Sequence, residues 1–177
     1  MTMEEKDIIE LAKAGDSKAW EKLIYIWQPK IYYFVLKYLG NEEDAKDVTQ
    51  EVFFSVFKNL PSLRNSEAFS SWIYKIALNC IRQHVKKSVK NRQFQLSEPI
   101  YFQPKREEGL VEKALDYLPS QQKEVILLKE IEGFSIKEIA RMLSIPEGTV
   151  KSRLFYGLKS LREIYLKLKE GKYEELQ

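Results

Sequence analysis

The chain has little of the residue types from which most catalytic and metal sites are built. It contains one cysteine, Cys80, and one histidine, His84, among 177 residues. A single cysteine excludes an intrachain disulfide, and these two side chains fall short of the donors that a zinc site needs. None of the seven glycines belongs to a phosphate-binding loop of the Walker type. The sequence therefore predicts no enzyme activity, no metal and no cofactor.

Long apolar runs are also missing. No run approaches the roughly 20 residues that cross a bilayer. The acidic, amphipathic start MTMEEKDIIELAKAGD is not a secretory signal. Hydrophobic residues make up 44% of the chain and charged residues 31%, a balance typical of a globular protein with a solvated surface. We expect a cytoplasmic protein with no stable membrane insertion.

The net charge of the chain is small, but its acidic and basic residues are separated along the sequence. The formal net charge is only +3. Acids dominate from Glu42 to Glu51, whereas residues 68–97 contain no Asp or Glu and six Lys or Arg. Charges separated in this way predict two different partners, one of them an anion such as nucleic acid.

Helical spacing and the positions of Gly and Pro predict an all-α chain of two small domains joined by a flexible linker. We expect four helices in residues 1–87, with breaks at Gly15, Gly40 and the loop PSLRN. The predicted caps are Asp16 or Ser17, Asn41 and Ser66. Residues 88–109 have no period and contain two prolines, so they are predicted to be the linker. Residues 110–177 form the second domain, with helices expected at 110–117, 121–131, 135–142 and 147 to about 169.

The second domain contains a predicted helix-turn-helix at residues 135–160, SIKEIARMLSIPEGTVKSRLFYGLKS. Ser135 and Glu138 have the spacing of a capping box, and Pro146 suits the start of the second helix. Val150, Leu154 and Leu158 are expected to form the buried face of that helix. A second helix rich in hydroxyls and cations suits the DNA major groove. Its predicted DNA contacts are Thr149, Lys151, Ser152, Arg153, Phe155, Tyr156 and Lys159.

The segment from Pro61 to Arg92 interleaves aromatic and basic residues. Exposed aromatic rings beside cations stack on unpaired bases and follow the nucleic-acid backbone. Phe69, Trp72 and Tyr74 therefore predict contact with single-stranded DNA or RNA. The alternative is that Phe69 or Trp72 belongs to the core, since each has helical spacing with Ile73 or Ile76.

Both halves of the chain resemble the extracytoplasmic-function (ECF) sigma factors, which form group IV of the sigma-70 family. The resemblance covers about 10–87 and 110–165. It is carried by DAKDVTQEVFFSVFKNL at 44–60, FSSWIYKIALN at 69–79, ALDYLPSQQKEVILLKEIEGFSIKEIA at 114–140 and IPEGTVKSRLFYGLKSLR at 145–162. It implies a bacterial transcription initiation factor that directs core RNA polymerase to promoter DNA, and an anti-sigma factor is the expected inhibitory partner.

The resemblance also implies roles for individual residues. Residues 1–87 would be similar to sigma region 2, and 110–177 to region 4. Docking on the coiled coil of the largest catalytic polymerase subunit is implied for Asp47, Gln50, Glu51 and Phe54. Recognition and melting of the minus-ten element is implied for Leu63, Arg64, Asn65, Phe69, Trp72, Lys75, Asn79, Arg82, Lys86 and Lys87. The second helix of the helix-turn-helix would read the minus-thirty-five element.

Two departures from the family and one alternative function bear on this interpretation. Many members have Asp where this chain has Gln83, and Arg or a His-Arg pair at Phe155 and Tyr156. The second departure implies an unusual minus-thirty-five sequence, because Arg reads guanine whereas an aromatic ring contacts a thymine methyl group or packs on sugar.

The alternative function is that of a stand-alone dimeric helix-turn-helix transcriptional regulator. Such a regulator would leave the acidic helix and the aromatic-basic segment without a role. A helical adaptor protein would not need the cations of residues 147–162.

Overall fold

The computed structural model describes residues 3–94 and 109–172. The chain separates into two compact units, Met1–Ser97 and Glu98–Gln177. The described residues form helices and turns with no strand, so the predicted all-α fold is confirmed. None of these helices is long and apolar enough to span a membrane.

The first unit contains four helices whose ends follow local signals in the sequence. The Asp16 carboxylate accepts the Ala19 N–H at 2.8 Å and caps α2, and the Asn41 side chain caps α3. Gly40 ends α2 in the left-handed conformation, with φ 66°, which a glycine adopts without strain. The helices are α1 (Met3–Lys13), α2 (Ser17–Leu39), α3 (Glu42–Asn59) and α4 (Phe69–Phe94).

Apolar faces of α2, α3 and α4 form the core of this unit. Val48, Val52 and Val56 have no exposed surface, as their spacing of four residues along a helix predicts. The ring of Phe69 meets Trp27 edge-on, with centroids 5.2 Å apart. The Trp27 indole N–H donates to Glu5 Oε1 at 2.9 Å, so a polar contact ties α1 to the same core.

The predicted start and the predicted end of α4 are both wrong. Ser66 is not a helix cap, because Asn65 accepts the Glu67 N–H at 2.9 Å and caps a 3₁₀ turn before α4. The helix continues to Phe94, past its expected end at Lys87 and into the predicted linker. No Gly or Pro lies between Ser88 and Phe94, so nothing in the local sequence stops it. The remainder of the linker, residues 95–108, lies outside the described residues.

The second unit contains α5 (Leu110–Asp116), α6 (Ser120–Ile126), α7 (Ile136–Leu143) and α8 (Glu147–Lys169). A π-helical turn at Leu127–Ile131 follows α6, where the sequence predicted a continuous helix. In this turn the Glu132 N–H reaches back to the Leu127 carbonyl at 3.1 Å. The Lys123 ammonium meets the Asp116 carboxylate at 2.6 Å, an ion pair that joins α5 to α6 within the core.

The predicted capping box of α7 is confirmed. The Glu138 N–H donates to Ser135 Oγ at 3.3 Å, and the Ser135 N–H donates to Glu138 Oε2 at 2.8 Å. The Ser135 hydroxyl also donates to this carboxylate at 2.6 Å. These bonds from the Ser135 hydroxyl and N–H lower the pKa of Glu138, because they stabilise the ionised carboxylate.

A close approach of α8 to α6 sets the rotation of α8 about its axis. A Cβ atom on Gly157 would lie 3.0 Å from Ile126 Cδ1 and 3.1 Å from Gln122 Cβ, so no larger side chain fits without movement. Val150 and Leu168 are buried on the same side. Leu158 is 40% exposed, so its predicted place in the buried stripe is wrong. Steps of four residues drift around a helix of 3.6 residues per turn, and Gly157 takes the contact instead.

Replacement of Gly157 by Val should destabilise the second unit by about 1–3 kcal/mol, because the added carbons meet Gln122 and Ile126. The matched control is Gly148→Val, since a Cβ at Gly148 in the same helix meets nothing within 4 Å. Chemical denaturation followed by circular dichroism gives the two free energies of unfolding. Equal losses in both variants would show that the contact at Gly157 does not constrain α8.

Replacement of Ser135 by Ala should cost about 1 kcal/mol of stability at neutral pH through loss of the cap. The folded pKa of Glu138 is lowered, so its contribution is complete above the ordinary carboxyl pKa and is lost as pH falls through the lowered value. The stability difference between wild type and variant should therefore shrink in acid. Denaturation of both proteins at a series of pH values measures this difference, and a gap that widens in acid would contradict the assignment.

Candidate protein-docking and DNA-binding surfaces

The helix α3 presents an acidic and aromatic face to solvent. Asp47, Gln50, Glu51 and Phe54 are all exposed on the side away from the valine stripe, and Phe54 is 72% exposed. Sequence reasoning missed Phe57, which is also exposed and meets Trp20 of α2 edge-on at 5.1 Å. Its spacing of three residues from Phe54 was the available signal. We call the four predicted residues the docking face.

A groove of about 520 Å³ runs beside the docking face, between α2 and α3. Gln50 belongs to both the groove and the docking face. Pro29 contributes a backbone that cannot donate a hydrogen bond at this point, although α2 continues through it. The groove is lined by Ile24, Gln28, Pro29, Tyr32, Lys46, Thr49, Gln50 and Phe53.

The helix α4 carries a polar stripe that the sequence predicted. Lys75, Asn79, Arg82 and Lys86 are exposed, and their spacing of four, three and four residues places them along one side of a helix. Trp72 is half-buried at the beginning of this stripe. Side chains of this kind contact phosphate and sugar groups, so the stripe has the composition of a nucleic-acid surface. Lys87 is exposed beside it.

The loop before α4 divides into exposed and buried residues. Arg64 and Asn65 are exposed. Leu63 is buried and Phe69 has no exposed surface, so the expectation that these two side chains touch DNA is corrected. They form part of the core, and the Phe69 ring lies 5.8 Å from that of Trp72. Tyr74, expected among the interleaved aromatics, is buried as well.

Contacts with α1 hold this loop in place. The buried Ser66 hydroxyl donates to the Glu10 carboxylate, and Lys6 pairs with Glu67 at 3.1 Å. The bond from Ser66, followed by that from Lys13, lowers the pKa of Glu10. Arg64 and Asn65 thus lie between the buried Leu63 and the anchored Ser66.

A histidine–carboxylate contact and an ion pair connect α3 to α4. His84 Nε2 lies 3.1 Å from Asp44 Oδ1, and Lys87 Nζ lies 3.9 Å from Glu51 Oε1. Glu51 and Lys87 come from two different predicted sites, so the structure brings these sites into contact.

Within residues 3–94 and 109–172, no group of three or more acidic, His or Cys side chains could hold a metal. Burial raises the pKa of the Cys80 thiol.

The helix-turn-helix presents most of the predicted DNA contacts of α8 to solvent. The turn passes through Ser144, which has a left-handed φ of 56°, and Pro146 precedes α8. The Phe155 and Tyr156 rings meet edge-on at 5.3 Å. Thr149 and Arg153 are half-buried. The exposed predicted residues are Lys151, Ser152, Phe155, Tyr156 and Lys159.

Comparison with protein families matches both halves of the chain. Residues 23–91 match sigma-70 region 2, and residues 108–161 match sigma-70 region 4. The ECF RNA polymerase sigma factor SigW of Bacillus subtilis is 32% identical, with 92% of this chain and 97% of SigW covered. The ECF sigma-E factor of Escherichia coli K12 is 28% identical, covering 87% of this chain and 90% of its own length. The sigma-H factor of Pseudomonas aeruginosa is 26% identical, covering 89% and 92%.

Two solved structures share the fold. The sigma factor RpoE of Bartonella quintana, solved with the anti-sigma factor NepR, has a TM-score of 0.70 and 21% identity over 83% of this chain and 96% of its own. CnrH, solved with the cytosolic domain of CnrY, has a TM-score of 0.70 and 20% identity over 90% and 96%. Two matched sigma regions in the expected order, with a relative 32% identical over nearly the whole chain, show that this protein belongs to the ECF group of the sigma-70 family of RNA polymerase sigma factors.

Proposed function

We propose that this sigma factor binds core RNA polymerase through α3, contacts and helps to melt the minus-ten element through α4 and the loop before it, and reads the minus-thirty-five element through α8. The observation that carries the proposal is the presence of three exposed faces with different chemistry in one chain. The α3 face is acidic and aromatic, the α4 stripe is cationic, and the α8 face combines hydroxyl, cationic and aromatic groups.

The docking face has the composition of a protein interface. Phe54 supplies a large apolar side chain that gains most from burial against a partner. Asp47 and Glu51 beside it favour a partner with basic groups, and charges of this kind steer association and select partners. A helix with such a stripe suits docking along the coiled coil of the largest catalytic subunit.

The α4 stripe and the loop before it have the composition of a single-stranded DNA surface. Its cations follow phosphates, and the half-buried Trp72 adds partly exposed aromatic surface on which a base could stack. Arg64 and Asn65 are exposed on the anchored loop, and we assign them to hold a base that has left the duplex. Lys86 and Lys87, farther along α4, are assigned to phosphate contacts.

Two weak DNA contacts in one chain bind more strongly than either alone. Binding at one element raises the effective concentration of the other domain at its own element, as long as the linker spans the distance. On α8 we assign Lys151, Arg153 and Lys159 to backbone contacts, and Ser152 and Phe155 to positions closer to the bases. The protein works in the cytoplasm, where polymerase and chromosome are found, and leaves the chemistry of RNA synthesis to the polymerase.

An anti-sigma factor is the further partner that we propose. Both solved relatives were captured with a partner, which in RpoE is an anti-sigma factor. A partner that covers the docking face would prevent polymerase binding directly. The alternative function, a stand-alone dimeric regulator, explains neither the docking face nor the match to sigma region 2.

Selection of genomic fragments with and without core polymerase tests the proposed function. The complex of chain and core should enrich fragments that share two short elements at a fixed spacing, and the chain alone should enrich none. Enrichment of a palindrome by the chain alone, as a dimer, would favour the stand-alone regulator instead.

Reversal of the charge at Asp47 should weaken binding to core polymerase about 10- to 100-fold, because it places a cation where the docking face is acidic. Asp47 is exposed, so the variant should fold normally. The control is Asp7→Lys, which makes the same charge change at an exposed residue of α1. Biolayer interferometry on immobilised core measures both dissociation constants, and equal affinities would remove Asp47 from the interface.

The Arg64→Ala and Asn65→Ser variants should impair promoter opening on duplex DNA, because flipped bases lose stacking that the protein must replace. Serine retains the capping oxygen of Asn65, so the loop keeps its geometry while the amide is lost. Permanganate reactivity of minus-ten thymines reports opening. The defect should shrink on a template whose minus-ten region is already unpaired, and normal reactivity on duplex DNA would leave the loop a structural turn.

A further inference from the structure

Packing of α8 fixes which way its aromatic pair points. Val150 and Gly157 are buried, and Gly157 lies against Ile126 of α6. Phe155 lies two residues before Gly157, which places it about 160° around the helix. The Phe155 side chain is 65% exposed and Tyr156 is 58% exposed. The two rings therefore project from the face of α8 that is free to enter a DNA groove.

The two rings restrict each other. Their centroids lie 5.3 Å apart with an interplanar angle of 80°, an edge-to-face geometry that aromatic pairs favour. Free rotation of either ring would lose this contact. Tyr156 thus limits the conformations of Phe155 before any partner arrives.

The chemistry of this face favours an apolar feature of DNA. The Phe155 ring has no donor for the acceptors of guanine, and the Ser152 hydroxyl one turn earlier donates to the Thr149 carbonyl at 3.0 Å. The apolar group that bases display in the major groove is the thymine methyl. A phenyl ring that points into the major groove can make an apolar contact with this methyl group.

Charge around the pair favours DNA over an apolar protein surface. Lys151 and Lys159 lie four residues before and after Phe155, on the same side of the helix, and both are exposed. Cations on each side of an aromatic contact fit a base flanked by two phosphate backbones.

We propose that Phe155 contacts the 5-methyl group of a thymine in the minus-thirty-five element and that Tyr156 is a positioning residue that holds the Phe155 ring. The assignment rests on the proposed function, because it requires α8 to enter the major groove of that element. It makes a single DNA methyl group a determinant of promoter choice.

The test replaces thymine by deoxyuridine, one position at a time, on the selected promoter bound by the complex of full chain and core polymerase. This change removes only the methyl group. Burial of one methyl group is worth about a fourfold change in affinity. We expect about a fourfold loss at one thymine of the element with wild-type protein, and no such loss with Phe155→Ala.

Three further variants separate a positioning role from a merely structural one. Tyr156→Phe keeps the ring pair, so its promoter affinity should still fall about fourfold when that thymine is replaced by deoxyuridine. This dependence of affinity on the methyl group should be smaller in Tyr156→Ala. Leu166→Ala truncates another exposed apolar residue of α8 and should behave as wild type. Equal methyl dependence in Tyr156→Ala and wild type would overturn the positioning role.

Other outcomes identify which part of the proposal fails. Specific promoter binding with no methyl dependence at any thymine would overturn the inference and leave the proposed function intact. Equal weakening by Phe155→Ala on thymine and deoxyuridine would indicate packing on sugar. Weaker binding of Phe155→Ala to core polymerase without DNA would assign the ring to a protein interface. Failure to select any promoter with core would remove the proposed function, and the inference with it.

Discussion

Burial of one stripe on each of α3, α4 and α8 determines the direction of the side chains on the opposite side. On α3, the burial of Val48, Val52 and Val56 directs Asp47, Gln50 and Phe54 to solvent. On α8 the close contact at Gly157 has the same effect on Phe155. Because helical side chains have fixed angular spacing, packing of the core also arranges the surfaces that we assign to polymerase and DNA.

The sequence was sufficient wherever a signal is local. Asp16, Asn41 and Gly40 set the ends of α2 and α3 because capping depends on residues within one turn. The capping box at Ser135 follows from a spacing of three residues. Periodicity also indicates the buried valine stripe of α3, whereas the roles of the exposed residues on α3 and α4 came from the family resemblance.

Long-range packing produced three of the differences. Asn65 and Ser66 are both acceptable caps, and the contact of Ser66 with Glu10, 56 residues away, decides between them. Phe69 had helical spacing that suited either the core or DNA, and its contact with Trp27 places it in the core. The burial of Gly157 depends on α6. A single sequence carries no direct record of such pairings.

The ion pair between Glu51 and Lys87 joins a residue assigned to polymerase with one assigned to DNA. Exposed ion pairs contribute about 0–1 kcal/mol, so binding of either partner can release the other side chain at little cost. The same small energy means that this contact does not lock either side chain in place. The anchored loop is different, since α1 holds it through both a buried hydroxyl and an exposed ion pair.

The central claim is that this chain gives core polymerase a promoter specificity that neither has alone. Multi-round transcription in vitro, with mapping of the RNA 5′ ends, tests it most directly. Core polymerase with the purified chain should start at defined positions downstream of two shared elements, and core alone should not. Starts that are the same with and without the chain would contradict the account.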